Sequence, residues 1–244
     1  MGHSTVLLDL GGTRFLTDPL LTQRVAHLRR RTRPPRADIR LTDIVLVSHA
    51  HADHLHRRSL KRVATASPHA IVIAPEGSAT LIPTGFQSVI EVSPGATLSC
   101  AGAEIHVVAA EHDGRRGPWE RRDRSAVGYL ISKSGRTAYF AGDTDLFEGM
   151  TQLPHVDLAL LPIGGWWKTL GTGHLDPTGA AEAVARIEPE LVLPVHWGTF
   201  APEDLARGLP TWSSSSGRDF ERALATRGLL DRLIRLAPGT TAVW

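Results

Sequence analysis

Ser48-His49-Ala50-His51-Ala52-Asp53-His54 follows directly on the wholly apolar run Ile44 to Val47, and this junction decides how the chain is read. A short run of isoleucine, valine and leucine suits a buried strand. In extended backbone alternate residues face the same way, so His49 and His51 reach one point while Asp53 and His54 turn toward a second. Imidazole and carboxylate are the ligands that zinc and similar cations take where no thiolate is at hand. One histidine at a strand end carries no information. Four such groups between His49 and His54 read as half of a metal site rather than as a histidine-rich surface loop.

The other half lies at the ends of three later strand-like runs: His112 after Ile105 to Ala110, Asp143 after Thr137 to Gly142, and His196 after Leu191 to Val195. Strand ends are where sites on rigid sheet scaffolds are assembled. His49, His51 and His112 are assigned to a first ion, and Asp53, His54 and His196 to a second. Asp143 is assigned between them, because an anionic oxygen offsets the repulsion of two cations. Such a nitrogen and oxygen site suits two divalent ions, zinc first, with manganese or iron also accepted.

The His49 to His54 motif, His112, Ala141-Gly142-Asp143-Thr144 and Pro194-Val195-His196-Trp197-Gly198 resemble the signature elements of the metallo-β-lactamase superfamily. Gly2-His3-Ser4, Leu16-Thr17-Asp18-Pro19 and Gly173-His174-Leu175-Asp176-Pro177 are most similar to the branch containing L-ascorbate-6-phosphate lactonase and N-acyl-phosphatidylethanolamine phospholipase D. The resemblance implies an α/β fold, an αββα four-layer sandwich, with residues 1–244 as one domain. It also implies a dinuclear hydrolase whose metal-bridging hydroxide is the nucleophile. Substrate is not implied, since the superfamily cleaves β-lactams, thioesters, lactones, phosphodiesters and nucleic acids with one core site. Relatives usually carry a further strand before the Gly-His-Ser element, so a shortened first strand or a late start is expected. No cysteine accompanies the second ion as in the best-known β-lactamases, and His51 stands where diiron oxygen reductases have glutamate; both activities are disfavoured.

Outside these segments the chain reads as an ordinary soluble protein. Apolar residues make up 42% and charged ones 21%, which separates it from disordered and fibrous classes. The run Val156 to Trp167 is broken by Asp157, Pro162 and glycines and falls short of the roughly 20 residues of a membrane span. With no signal-like start and one cysteine, Cys100, a reducing cytoplasm is expected. A net charge of +2 does not call for nucleic acid. The basic stretch Arg115 to Arg124 follows His112 closely and implies an anionic small-molecule substrate; oligomeric state is not legible.

A hairpin is expected from Thr5 to Thr17 around Gly11-Gly12, an irregular loop over 25–40 with Pro34-Pro35, and later strands at 70–74, 88–92, 103–109, 126–132, 137–141, 157–161 and 191–195. Helices are expected over 56–66, 145–153, 177–187, 202–208 and 218–227, a mobile loop at Ser213 to Gly217, and strands near 233–236 and 240–243. Two packed sheets with helices outside follow. Asp53 is the expected proton acceptor and His174, ahead of the Asp176-Pro177 helix start, the acid or oxyanion stabiliser. His3 and Asp18 are expected to orient ligands. Trp166 and Trp167 are read as an apolar pocket wall, and His27, His56, His69, His106 and His155 as surface or packing residues. The function that results is hydrolysis of a small ester-like substrate, a lactone or a phosphodiester. The alternatives are a nuclease, which usually needs a clamping domain for which there is no room, and a non-catalytic metal-binding module, which an intact ligand set argues against.

Overall fold

The hairpin at Gly11-Gly12 forms. β1 (Leu7–Leu10) and β2 (Thr13–Thr17) pair antiparallel, with Leu10 opposite Thr13. Gly11 and Gly12 take φ of +55° and +78°, a region side chains resist. The computed structural model describes residues 1–32, 38–117, 119–121, 124–165, 170–202 and 211–244, with backbone alone over 211–214. Part of the stretch expected as irregular pairs instead as β3 (Arg24–Val25) and β4 (Leu28–Arg30), while Pro34-Pro35 lie outside the described residues.

β5 (Ile44–Leu46), α1 (Arg57–Ala66), β6 (Ile71–Pro75) and β7 (Ser88–Val92) complete a first sheet of order β1-β2-β5-β6-β7, parallel beyond its opening hairpin. The second sheet takes β8 (Thr97–Cys100), β9 (Ala103–Asp113), β10 (Ser125–Lys133), β11 (Arg136–Phe140), β12 (Leu158–Pro162) and, after α2 (Pro177–Ile187), β13 (Leu191–Val195). Its order is β13-β12-β11-β10-β9-β8. β14 (Phe200–Pro202) joins β3 and β4 in a small third sheet, and α3 (Thr211–Thr226) follows.

Strand alternation builds the layers. Phe15, Ile44 and Leu46 face Val127, Tyr129, Phe140 and Leu160 in a core between the two large sheets. Their neighbours Leu16, Val45 and Val47 face outward onto Leu60 and Val63 of α1. On the far side of the second sheet, Tyr139, Ala159 and Leu161 pack on Val184 and Ile187 of α2 and Phe220 and Leu224 of α3. Helix, sheet, sheet and helix are thus stacked in four layers, as in the metallo-β-lactamase fold.

Three local expectations give way to packing. Ser213 to Gly217, read as a mobile loop, lies within α3, because burying Phe220 and Leu224 outweighs the modest helix propensity of serine. The helix read over 145–153 contracts to a 3₁₀ turn, Glu148–Gln152. No strand forms over 233–243; Ile234 N–H reaches Val192 C=O at 2.9 Å in a single bridge, and Pro238-Gly239 breaks any continuation. Of the helix read over 202–208, Pro202 ends β14 and the rest lies outside the described residues.

Candidate metal centre

β9 is antiparallel to β10, and β10 to β11, so β9 points the same way as β11 and, through parallel pairing, as β12 and β13. The loops that follow these strands therefore leave one edge of the sheet, where the histidine-bearing loop after β5 meets them. His112 was expected beyond its strand; it lies within β9, one residue from the end, because the β9 to β10 ladder extends to Asp113 and Ser125.

Two neighbouring groups of side chains result. His49 Nε2 lies 2.9 Å from His51 Nδ1, which lies 3.2 Å from His112 Nε2. In the second group His54 Nε2 and His196 Nε2 are 3.1 Å apart, and Asp53 Oδ2 stands 3.7 and 3.8 Å from them. Asp143 Oδ2 is 3.1 Å from both His54 Nε2 and His196 Nε2, and Asp143 also groups with His49 and with His112 and His174. The structure thus brings together all seven residues singled out from the sequence.

The chemistry of the facing atoms tests whether cations fit. His54 Nδ1 is held by Asp18 Oδ2 at 2.6 Å, His196 Nδ1 by Gly164 C=O at 2.9 Å, and His112 Nδ1 by Gly173 C=O at 2.8 Å. Each of these oxygens accepts a hydrogen bond, so each ring spends its Nδ1 proton outward and turns Nε2 inward, where a neutral ring offers a lone pair. Ser48 Oγ, donating to Asp18 Oδ2 at 2.6 Å, accepts from His49 Nδ1 at 2.9 Å and leaves His49 Nε2 bare as well. Lone pairs therefore converge with nothing between them but a proton or a cation. Asp143 Oδ1 is buried with no hydrogen-bond partner among the described residues. A divalent cation answers both features.

Charge states follow the same logic. Burial, then His54 and His112, hold His49 well below the ordinary imidazole value; burial and then Asp143 and His174 act on His112, which settles at about 4. Burial would raise Asp143, but His196 and His54 hold it well below the carboxylate range, and His54, His196 and His3 do the same for Asp53. Burial opposes charge on His54, yet Asp143, Asp53 and Asp18 push it well above its usual value. The two carboxylates thus demand positive charge at the point where the bare nitrogens meet.

Backbone strain collects around this point. His3, Asp18 and His196 take φ of 57°, 30° and 60°, a region costing non-glycine residues ~1–3 kcal/mol each. Local bonds hold them there: His196 N–H donates to His3 C=O at 3.2 Å, and Asp18 Oδ1 accepts from Ser48 N–H at 2.8 Å. Gly142, at φ +65°, is required beside them, since a Cβ would stand 2.6 Å from Ser48 Cβ. Asp18 orients His54 as the sequence suggested, while His3 reaches Asp53 Oδ2 with its Nε2 at 3.1 Å. Ser48 was missed, although its place directly before His49 was a signal. The Gly164 and Gly173 carbonyls carry no side-chain signal at all.

His174 sits two residues before Asp176, which caps α2 by accepting from Gly179 N–H at 2.7 Å, with Pro177 as the first helical residue. Its Nε2 is 3.8 Å from Asp143 Oδ2, and burial lowers its pKa. It lines a cavity of about 490 Å³ together with Gly165, Asp145, Asp176 and Ser215, and through His174 alone that cavity adjoins the cluster, since none of the seven candidate ligands lines it. A larger cavity of about 1030 Å³, mostly aliphatic, touches the cluster only through His3. Trp166 and Trp167 lie outside the described residues. In the basic stretch, Arg115 pairs with Asp113 at 2.7 Å and Arg124 with Glu120 at 2.7 Å, and Arg116 donates to backbone carbonyls. Arg115 is thus paired within the stretch, whereas Arg116 reaches the Ala50 and Leu55 carbonyls and Arg124 also the Gly77 carbonyl, all on other segments. His56, read as a surface or packing residue, caps α1.

No helix among the described residues is long and apolar enough to cross a membrane. Residues 13–197 match the family model described as beta-lactamase superfamily domain. A metal-dependent hydrolase of Nitratidesulfovibrio vulgaris is 32% identical over 247 residues, spanning 98% of this chain and 91% of that one. The N-acyl-phosphatidylethanolamine-hydrolyzing phospholipase D 1 of Caenorhabditis elegans is 30% identical over 225 residues, 82% of this chain and 63% of that one. Among solved structures, a metallo hydrolase from Ignicoccus hospitalis superposes with a TM-score of 0.70 at 24% identity, covering 99% of this chain and 94% of that chain.

Proposed function

This chain belongs to the metallo-β-lactamase superfamily, and from that membership we propose a dinuclear metal-dependent hydrolase that cleaves a small ester-like substrate, a lactone or a phosphodiester. The observation that carries the proposal is the convergence of imidazole nitrogens around Asp143, with His54, His112 and His196 each fixed from behind by an acceptor. His49, His51 and His112 would hold one ion and Asp53, His54 and His196 the other, with Asp143 between. Zinc suits this set first; manganese and iron also fit it. Bound there, the two ions supply an ionised water at neutral pH and polarise the oxygen under attack.

The chain's own residues supply the rest. Asp53, hydrogen-bonded to His3 Nε2, would orient the attacking water and take its proton. His174, fixed ahead of the α2 amino terminus and lining the 490 Å³ cavity, turns Nδ1 to Thr172 C=O at 3.3 Å, so it would donate from Nε2 to negative charge building on the substrate as the imidazolium. That volume suits a small molecule. Similarity to a phospholipase D supports the phosphodiester option.

Metal-loaded and chelator-treated protein should be screened against bis(p-nitrophenyl) phosphate, lactones, thioesters and a cephalosporin. Metal-dependent turnover of the first or second is expected, and activity on the cephalosporin alone would overturn the proposal. His174→Ala should keep its metal and lose turnover by ~100-fold or more; full activity would remove His174 from the mechanism.

A further inference from the structure

Of the five imidazoles in the cluster, four are fixed from outside by Ser48, Asp18, Gly173 or Gly164. His51 is different: its Nδ1 faces His49 and His112, and no hydrogen bond from outside the cluster reaches its ring among the described residues. Its position must come from the backbone of the loop that carries it. That loop turns tightly, with His54 N–H and Leu55 N–H both directed at His51 C=O, at 3.1 and 2.9 Å. The carbonyls of Ala50 and Leu55 bracket the turn, and both residues are buried.

One side chain satisfies both carbonyls. Arg116 Nη1 donates to Ala50 C=O and to Leu55 C=O at 2.7 Å each. Arg116 follows His112 by four positions, and the same segment accepts Ala50 N–H at Gly114 C=O, 3.2 Å away. Gly114 itself is wedged so closely against Arg124 and Ser125 that a Cβ would stand 2.3 Å from Arg124 C=O. The loop after β9 is thereby tied at its base and its guanidinium to the two ends of the His51 turn.

We infer that Arg116 is a positioning residue of the metal centre, holding the His51 to His54 turn in ligating shape and coupling it to the strand that presents His112. This rests on the metal-site reading above. Arg116 makes no hydrogen bond or ion pair to any of the seven assigned ligands among the described residues. It fixes the distance between two carbonyls, and so the path of the four residues between them. A buried carbonyl pair left without its donor rearranges to reach water, and the turn between them moves with it.

The test uses the full chain loaded with cobalt(II), whose visible absorption reports ligand geometry. Arg116→Met keeps the aliphatic bulk and removes the donors; Arg116→Lys keeps one charged donor head. Cobalt affinity of Arg116→Met should fall ~10–100-fold, the range for lost ligand-orienting contacts, with an altered absorption envelope and Arg116→Lys in between. Thermal unfolding of the metal-free proteins, run alongside, measures any general loss of stability. Wild-type-like cobalt affinity and spectrum in Arg116→Met, whatever its stability, overturn the role of Arg116 alone. Failure of the wild type to bind cobalt overturns the metal-site reading, and this inference with it. If Arg116→Met does not fold, Arg116→Lys decides: a cobalt affinity and spectrum displaced from the wild type support the role, and wild-type-like binding in Arg116→Lys refutes it.

Discussion

Replacing Asp18 by asparagine changes almost no volume and inverts the hydrogen-bonding sense of a buried atom. Asp18 is fully buried, accepting from Ser48 N–H at 2.8 Å through Oδ1 and from Ser48 Oγ and His54 Nδ1 at 2.6 Å each through Oδ2. With Oδ1 retained for the Ser48 amide, the asparagine NH₂ meets the proton on His54 Nδ1. The cheapest relief is for His54 to move that proton to Nε2, the atom 3.1 Å from Asp143 and His196. A protonated Nε2 cannot ligate, so the ion assigned to Asp53, His54 and His196 loses a ligand while the His49, His51 and His112 group keeps its own. Loss of one charge-assisted bond is worth ~1.5–3 kcal/mol, which corresponds to ~10–100-fold in affinity for that ion. Competition titration against a chromogenic chelator, with elemental analysis of the bound metal, should show two tight equivalents in the wild type and one tight plus one weakened in Asp18→Asn. Two equivalents bound at wild-type affinity by the variant would refute the reasoning from tautomer to site.

Asp143→Ala removes the oxygen shared by both groups and should leave the protein folded with neither ion tightly held; elemental analysis showing two retained equivalents would contradict its bridging place. Gly142→Ala forces a side chain into left-handed backbone and against Ser48, so a loss of ~2 kcal/mol or more is expected from urea unfolding, and an unchanged midpoint would disprove the packing argument. His56→Ala removes the cap of α1, where Nδ1 accepts from Ser59 N–H at 3.3 Å, and should cost ~1 kcal/mol at pH 7.5. Burial, Arg116 and Arg58 push the His56 pKa down to about 4 from 6.5. The neutral ring's contribution is therefore complete above pH 6.5 and fades as the pH falls toward 4. The wild-type to variant difference in unfolding midpoint should shrink between pH 7.5 and 5, and a constant difference would count against it.

Short-range pattern was enough to write much of this molecule. Ile44 to Val47 alternates between two cores because successive side chains on a strand point to opposite faces, and that rule needs no partner to be known. His49 to His54, crowding four potential ligands after that strand, marks a candidate cation site, because imidazole and carboxylate gathered at one point are what divalent ions take. The Asp176-Pro177 start of α2 and the Gly11-Gly12 turn are likewise local chemistry. Other features had no local cause. Ser213 to Ser216 became helical only because Phe220 and Leu224 had α2 to pack on, and residues 233–243 failed to form strands because β13 offered them a single bridge. The basic stretch after His112 turned inward because the Ala50 and Leu55 carbonyls lay within reach of Arg116, a contact across 66 and 61 residues. Which nitrogen of His112 and of His196 faces the centre was decided by the carbonyls of Gly173 and Gly164. Those are positions of backbone in space, and a sequence of side chains does not specify them until the sheets have closed.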